Sequence, residues 1–172
     1  MKNKVLVILL SSILIVYSGY SQSVTLKQIG KAYNYTRTRF GVYFNGAFYS
    51  IDYNYALYKT DLSNGACTRL GNVTYNNTKY FFNHNGRLYT IENDGSMNSI
   101  DAVTGAWSVI ASMGVWTNFQ GVITVGNSFY AVENGAMFYY PTIDYRNRKQ
   151  IGESEFYNLT DVYVGDTTLC TR

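Results

Sequence analysis

The sequence predicts an all-β fold: a β-propeller of about four four-stranded antiparallel blades, the last of them incomplete. Three observations carry this prediction. An Ile-Gly-like doublet recurs at Ile29-Gly30, Leu70-Gly71, Ile110-Ala111 and Ile151-Gly152, in steps of 40 or 41 residues. An aromatic follows each doublet, at Tyr35, Tyr75, Trp116 and Phe156. The chain carries 18 tyrosines and one proline, and Tyr favours strands because its ring packs while its hydroxyl stays wet. A period of about 40 residues is that of a propeller blade.

The first element is not part of the fold. Lys2 and Lys4 precede an apolar run at 5–16, and Gly19 and Ser21 are small residues before Gln22. That is the pattern of a signal peptide over 1–21. The apolar run is short for a membrane span, which needs about 20 residues. The mature chain is expected to be secreted and to make no further contact with a membrane. Residues 22–172 are long enough for one domain with a real core. Without Lys2 and Lys4 the 14 basic residues become 12, against 11 acidic ones. This near balance, with no basic stripe, argues against nucleic acid as a partner.

The blades are expected over 31–71, 72–111, 112–152, and 153–172 together with 24–30. The second copy is the clearest. Lys79–Asn83 reads as a first strand, and His84-Asn85-Gly86 as a hairpin turn, since Asn-Gly suits a type I′ turn. Arg87–Glu92 alternates as a second strand. Ser96–Asp101 and Trp107–Ile110 complete the blade. Asn45–Asp52 and Asn127–Glu133 repeat the register of Asn85–Glu92. Asp61 and Asp101 each precede a glycine by four residues, which predicts Asx-type turns closing the third strands. In the third copy Pro141 replaces that pattern and suits a strand end. The fourth copy has room for two strands, and Val24–Gly30 resembles the last strand of a blade. That N-terminal strand is the candidate to close the ring. The alternatives are closure by oligomerisation, and a truncated piece of a longer propeller.

Catalytic chemistry is poorly represented. His84 is the only histidine and falls in a predicted turn, where it is expected to be exposed. No His and Cys spacing suits a metal, and Glu92-Asn93-Asp94-Gly95 lacks the alternating ligands of a calcium loop. Asp52, Glu92 and Glu133 recur at one register. Repetition in every blade points to a structural or repeated binding role, not to one catalytic centre. Cys67 and Cys170 are the only cysteines, and the sequence leaves open whether they pair. No cofactor is expected, and the chain is not expected to be an enzyme.

The repeated aromatic is the candidate contact. Tyr35 stands near Arg37, Tyr75 near Asn77, Trp116 near Asn118, and Phe156 near Asn158. A ring beside amides or a guanidinium suits a sugar, whose C–H face stacks while its hydroxyls hydrogen-bond. The same position also suits packing of one blade on the next.

Two resemblances bear on function. Leu70-Gly71, Tyr75, Tyr80-Phe81-Phe82 and Asn85-Gly86-Arg87-Leu88-Tyr89-Thr90-Ile91 resemble the repeat of the tachylectin-type β-propeller lectins. Ile110, Gly114, Trp116, Phe119 and Phe129-Tyr130-Ala131-Val132 repeat the likeness, and the first copy adds Ala56-Leu57-Tyr58-Lys59. Family members have longer repeats and five blades. The resemblance implies binding of N-acetylated sugars in pockets between blades. Separately, Ile100–Trp107 is similar to the docking motif of quinoprotein dehydrogenase propellers, although it occurs once and such a Trp also packs a blade. The expected function is a secreted, lectin-like, non-catalytic protein that binds glycans at repeated sites. The alternative is an adhesive or structural module that binds extracellular proteins.

Overall fold

The computed structural model describes residues 28–29, 35–126, 128–153, 155–156, 162–165 and 168–171. The predicted signal segment, most of the N-terminal strand 24–30, and Asn158 lie outside them. Gln28 and Ile29 carry no strand assignment. Every regular element among the described residues is a strand.

The first sheet contains β1 (Thr38–Phe44), β2 (Ala47–Asp52), β3 (Leu57–Asp61) and β4 (Cys67–Leu70). The second contains β5 (Thr78–His84), β6 (Arg87–Glu92), β7 (Met97–Ile100) and β8 (Trp107–Ala111). The third contains β9 (Phe119–Val125), β10 (Ser128–Glu133), β11 (Ala136–Tyr140) and β12 (Lys149–Gln150). Each is an antiparallel meander in chain order, and β13 (Val162–Gly165) pairs with β14 (Thr168–Thr171) as a fourth, two-stranded sheet. The first strands of successive sheets adjoin: β1 lies against β5, β5 against β9, and β9 against β13. The arrangement is propeller-like.

Local chemistry explains the hairpins. Asn45-Gly46 and Asn85-Gly86 form two-residue turns with all four residues at positive φ, the type I′ geometry for which Asn-Gly is suited. Asp61 Oδ1 accepts the Ser63 N–H at 2.8 Å and Asp101 Oδ1 accepts the Val103 N–H at 2.8 Å. These are the expected Asx turns. In the third sheet the loop that starts at Pro141 moves the Asx turn to Asp144, whose Oδ1 accepts the Arg146 N–H at 3.0 Å and whose carboxylate pairs with the Arg146 guanidinium at 3.1 Å. The first strand of every full sheet carries a bulge that its sequence does not announce. The ladder register shifts at Arg39, Lys79 and Gln120.

The core lies between sheets. Tyr49, Ile51, Leu57 and Leu70 of the first sheet meet Leu88 and Ile100 of the second. Phe82, Tyr89, Ile91 and Met97 of the second meet Phe129, Ala131 and Tyr140 of the third. Burying each large side chain contributes about 1.5–3 kcal/mol, so each junction holds two sheets together. Near the adjoining first strands, Asn83 Nδ2 donates to the Tyr43 carbonyl at 2.8 Å, and Asn83 Oδ1 accepts from the Thr124 hydroxyl at 3.0 Å.

His84 departs from expectation. It ends β5, is 2% exposed, and packs edge-on to Phe129. The turn is only Asn85-Gly86, so the histidine belongs to the strand and faces the seam with the third sheet. Its Nε2 bonds Asn85 Nδ2 at 2.9 Å, its Nδ1 has no partner, and burial lowers its pKa.

Candidate binding pocket of the second sheet

The repeated aromatics sit where one sheet hands over to the next. The Tyr75 N–H donates to the Tyr55 carbonyl at 2.9 Å, Trp116 to Gly95 at 2.8 Å, and Phe156 to Gly135 at 2.8 Å. Each acceptor lies in the turn between the second and third strands of the preceding sheet, at positive φ. At Gly95 an added Cβ would come within 2.8 Å of the Thr117 backbone nitrogen, so the close approach of the Trp116 loop requires glycine there. The polar residues two positions on also serve the backbone. The carbonyls of Arg37, Asn77 and Asn118 accept the N–H groups of Tyr53, Asn93 and Asn134 at 2.8, 2.8 and 3.3 Å.

This geometry separates the candidate residues. Trp116 is 0% exposed, ringed by Phe119, Phe129, Tyr140 and Tyr145. Tyr75 is 3% exposed, and its hydroxyl donates to the Gly105 carbonyl at 2.6 Å. Neither ring offers a broad face for stacking, because the space between sheets must be filled to close packing density. Burial, and then the nearby Glu92 carboxylate, push the Tyr75 phenol pKa up. Tyr35 and Phe156 are half-buried, and the Tyr35 hydroxyl donates to Thr60 Oγ1 at 3.0 Å. Arg37, Asn77 and Asn118 are exposed. The four copies are therefore not equivalent contact sites.

One copy does open onto polar space. A pocket of about 240 Å³ is lined by Tyr75 and Asn77 together with Asn76, Glu92, Asp94, Asn98 and Trp107. Glu92, at the end of β6, is 7% exposed, and Asn98, on β7, is 6% exposed. Asn98 Nδ2 donates to Glu92 Oε1 at 3.0 Å, while Asn98 Oδ1 has no hydrogen-bond partner. Asp94 Oδ1 accepts the Ser96 N–H at 2.9 Å and the Ser96 hydroxyl at 2.7 Å, bonds that hold its pKa below the usual carboxylate value. Trp107 begins β8 at 44% exposure. It does not pack the blade as expected of a docking Trp, but forms a half-exposed wall. The pocket thus offers an indole, two exposed amides, a buried amide oxygen and two carboxylates.

The carboxylate register has three outcomes. Asp52 closes its own turn, accepting the N–H groups of Asn54 and Ala56 at 2.9 and 3.0 Å. Glu133 accepts the Tyr145 hydroxyl at 2.6 Å and forms an ion pair with Arg148. Only Glu92 faces a pocket with an acceptor-rich lining. The sequence held a signal for this. The register of Asn98 carries Tyr58 in the first sheet and Phe138 in the third, so a lone amide stands in an aromatic column.

A second pocket, of about 520 Å³, borders Trp116 with Ile110, Val115, Ile143, Tyr145 and the paired Asp144 and Arg146. Asn118 does not line it. Among the described residues no group of three or more His, Cys, Asp or Glu is placed to hold a metal ion. Cys67 is exposed on β4; the side chain of Cys170 lies outside the described residues. No helix among the described residues is long and apolar enough to cross a membrane.

Comparison with known proteins adds distant likenesses of fold. No family model matches the chain, and no curated protein does. Among solved structures, the extracellular domain of a putative one-component system from B. thetaiotaomicron matches at 15% identity and a TM-score of 0.45. That match covers 72% of this chain and 17% of the other. PorZ, a surface component of the type-IX secretion system of Porphyromonas gingivalis, matches at 11% identity and a TM-score of 0.47, over 86% of this chain and 26% of its own. The computationally designed Ika4 protein matches at 9% identity and a TM-score of 0.47, over 86% and 92%. Similarity at this level says nothing about what this chain binds.

Proposed function

We propose that this chain is an exported, non-catalytic binding protein, lectin-like in action, whose carbohydrate site is the pocket of the second sheet. The observation that supports this reading is the lining: half-exposed Trp107 beside Asn76, Asn77, Asp94 and the unpartnered carbonyl of Asn98. An apolar wall with a few fixed polar groups is the usual construction of a small-ligand site, and a sugar uses both parts. The four aromatics at the repeat act mainly as junction packing, with Tyr75 and Asn77 shared between packing and pocket. In this reading export rests on the signal-like segment 1–21, and closure of a four-bladed ring on the segment 24–30, of which Gln28 and Ile29 carry no strand assignment. A stable monomer of 22–172 by light scattering agrees with that closure, whereas obligate oligomers replace it with closure between chains.

A glycan array probed with residues 22–172 tests the carbohydrate reading. Binding that is lost in Trp107→Ala and retained in Tyr35→Ala is expected. Failure to bind any glycan at high surface density removes the reading. One observation favours the alternative of a protein-binding module. Val103, Trp107, Val109, Ile110 and Met113 expose apolar surface on and around β8, and exposed apolar patches are common at protein interfaces.

A further inference from the structure

The second and third sheets place the same carboxylate in the same position and treat it differently. Glu92 and Glu133 both end the second strand of their sheet, where Ile91 pairs with Met97 and Val132 with Met137. In the third sheet the guanidinium of Arg148 pairs with Glu133 and stacks 4.6 Å from the Phe138 ring centre and 4.4 Å from that of Tyr145. Arg148 precedes Lys149, which pairs with Tyr139; in the second sheet Trp107 precedes Ser108, which pairs with Ser99. Trp107 therefore holds the register of Arg148, and Asn98 that of Phe138. Two substitutions in one repeat remove the internal cation and its aromatic support.

A buried carboxylate is costly unless paired or richly hydrogen-bonded. Glu133 has an intramolecular cation and a phenol. The donor shown for Glu92 is Asn98 Nδ2, and Asn98 in turn keeps a buried carbonyl oxygen without a partner. The pocket beside them is lined by a second carboxylate, Asp94, and by no lysine, arginine or histidine. Its exposed wall is an indole, the ring type that best attracts a cation. The two carboxylates, the absence of a cation from the lining and the indole favour a positively charged donor, and the Asn98 carbonyl supplies a further acceptor.

We propose that the group entering this pocket is an organic cation, seated on Glu92 as Arg148 is seated on Glu133; resting on the carbohydrate reading above, it is the ammonium of a deacetylated amino sugar. The ammonium donates to Glu92 and to the free carbonyl of Asn98, with Asp94 and the Trp107 ring adding attraction. An N-acetyl group cannot do this, because acetylation removes both the charge and two donors.

Calorimetry on residues 22–172 with three probes tests the assignment: a glucosamine tetramer, an N-acetylglucosamine tetramer and N-acetylarginine amide. The glucosamine tetramer should bind at least about tenfold more tightly than its acetylated counterpart, and Glu92→Gln should weaken it by about tenfold. Raising salt should weaken it moderately. Trp107→Arg, which supplies the guanidinium internally, should abolish binding in a folded protein, so the test does not rest on Glu92→Gln alone. Equal binding of both tetramers, unchanged in Glu92→Gln, overturns the cation assignment and leaves the carbohydrate reading standing. Glu92-dependent binding of N-acetylarginine amide with neither sugar bound overturns the amino sugar and the carbohydrate reading; the cation then comes from an arginine side chain. No binding of any probe overturns the cation assignment, and the glycan array then decides the carbohydrate reading separately.

Discussion

The second and third sheets share a topology, a bulge in the first strand and a buried glutamate at one register, yet only the third completes its charge pair. In the third sheet Glu133, Arg148, Tyr145 and Phe138 form a closed group. In the second, Glu92 and Asn98 border a pocket. The difference arises from Trp107 and Asn98, which stand where Arg148 and Phe138 stand. Matching strand registers therefore hold a structural ion pair in the third sheet and a pocket in the second.

The largest test of this contrast is Arg148→Ala. It strands Glu133, which is 4% exposed, and should destabilise the protein by about 3 kcal/mol in denaturant unfolding. Adding Glu133→Gln should recover much of that loss. Glu92→Gln should cost far less than Arg148→Ala, because no internal cation is left stranded. If the two cost the same, the sheets are not functionally different at this register.

Tyr75→Phe is the next largest. It leaves the Gly105 carbonyl without the phenol that donates to it at 2.6 Å, a loss of about 1 kcal/mol. Ligand affinity should change little, since the ring remains. Loss of binding with unchanged stability would instead place the phenol in contact with ligand.

His84 gives the smallest effect and probes the seam between the two sheets. Burial lowers its folded pKa below the usual value of 6.5, so the unfolded chain binds the proton more readily. Stability should be fully present above pH 6.5 and fall as pH drops from there towards the lowered folded value. Thermal melting between pH 7 and pH 5 should show a smaller decline in His84→Gln than in the parent. The acidic groups Asp61, Asp94, Asp101 and Asp144, whose hydrogen bonds lower their pKa values from the usual 3.8, keep their contribution throughout that window and lose it only as pH falls below 3.8.

The amino-acid sequence determined the repeat and most of its local structure by itself. The 40–41 residue period marked the sheets, Asn45-Gly46 and Asn85-Gly86 set type I′ turns, and Asp61 and Asp101 set Asx turns. These features are short-range: a few residues and their φ preferences suffice. The bulges at Arg39, Lys79 and Gln120 were not legible, because a bulge is defined by the partner strand. The burial of His84 was not legible either, since it depends on which sheet faces which; the repeat position of Trp116 suited packing and ligand contact alike, and its full burial came only with the facing sheets. The candidate site lay furthest from the sequence. Glu92, Asn98 and Trp107 were visible as letters, but a matching turn with a carboxylate looked alike in all three copies. Only the packed sheets showed that Arg148 reaches Glu133 while nothing equivalent lines the pocket at Glu92. Pairing of distant side chains is a long-range property, fixed when strands from separate hairpins are brought side by side.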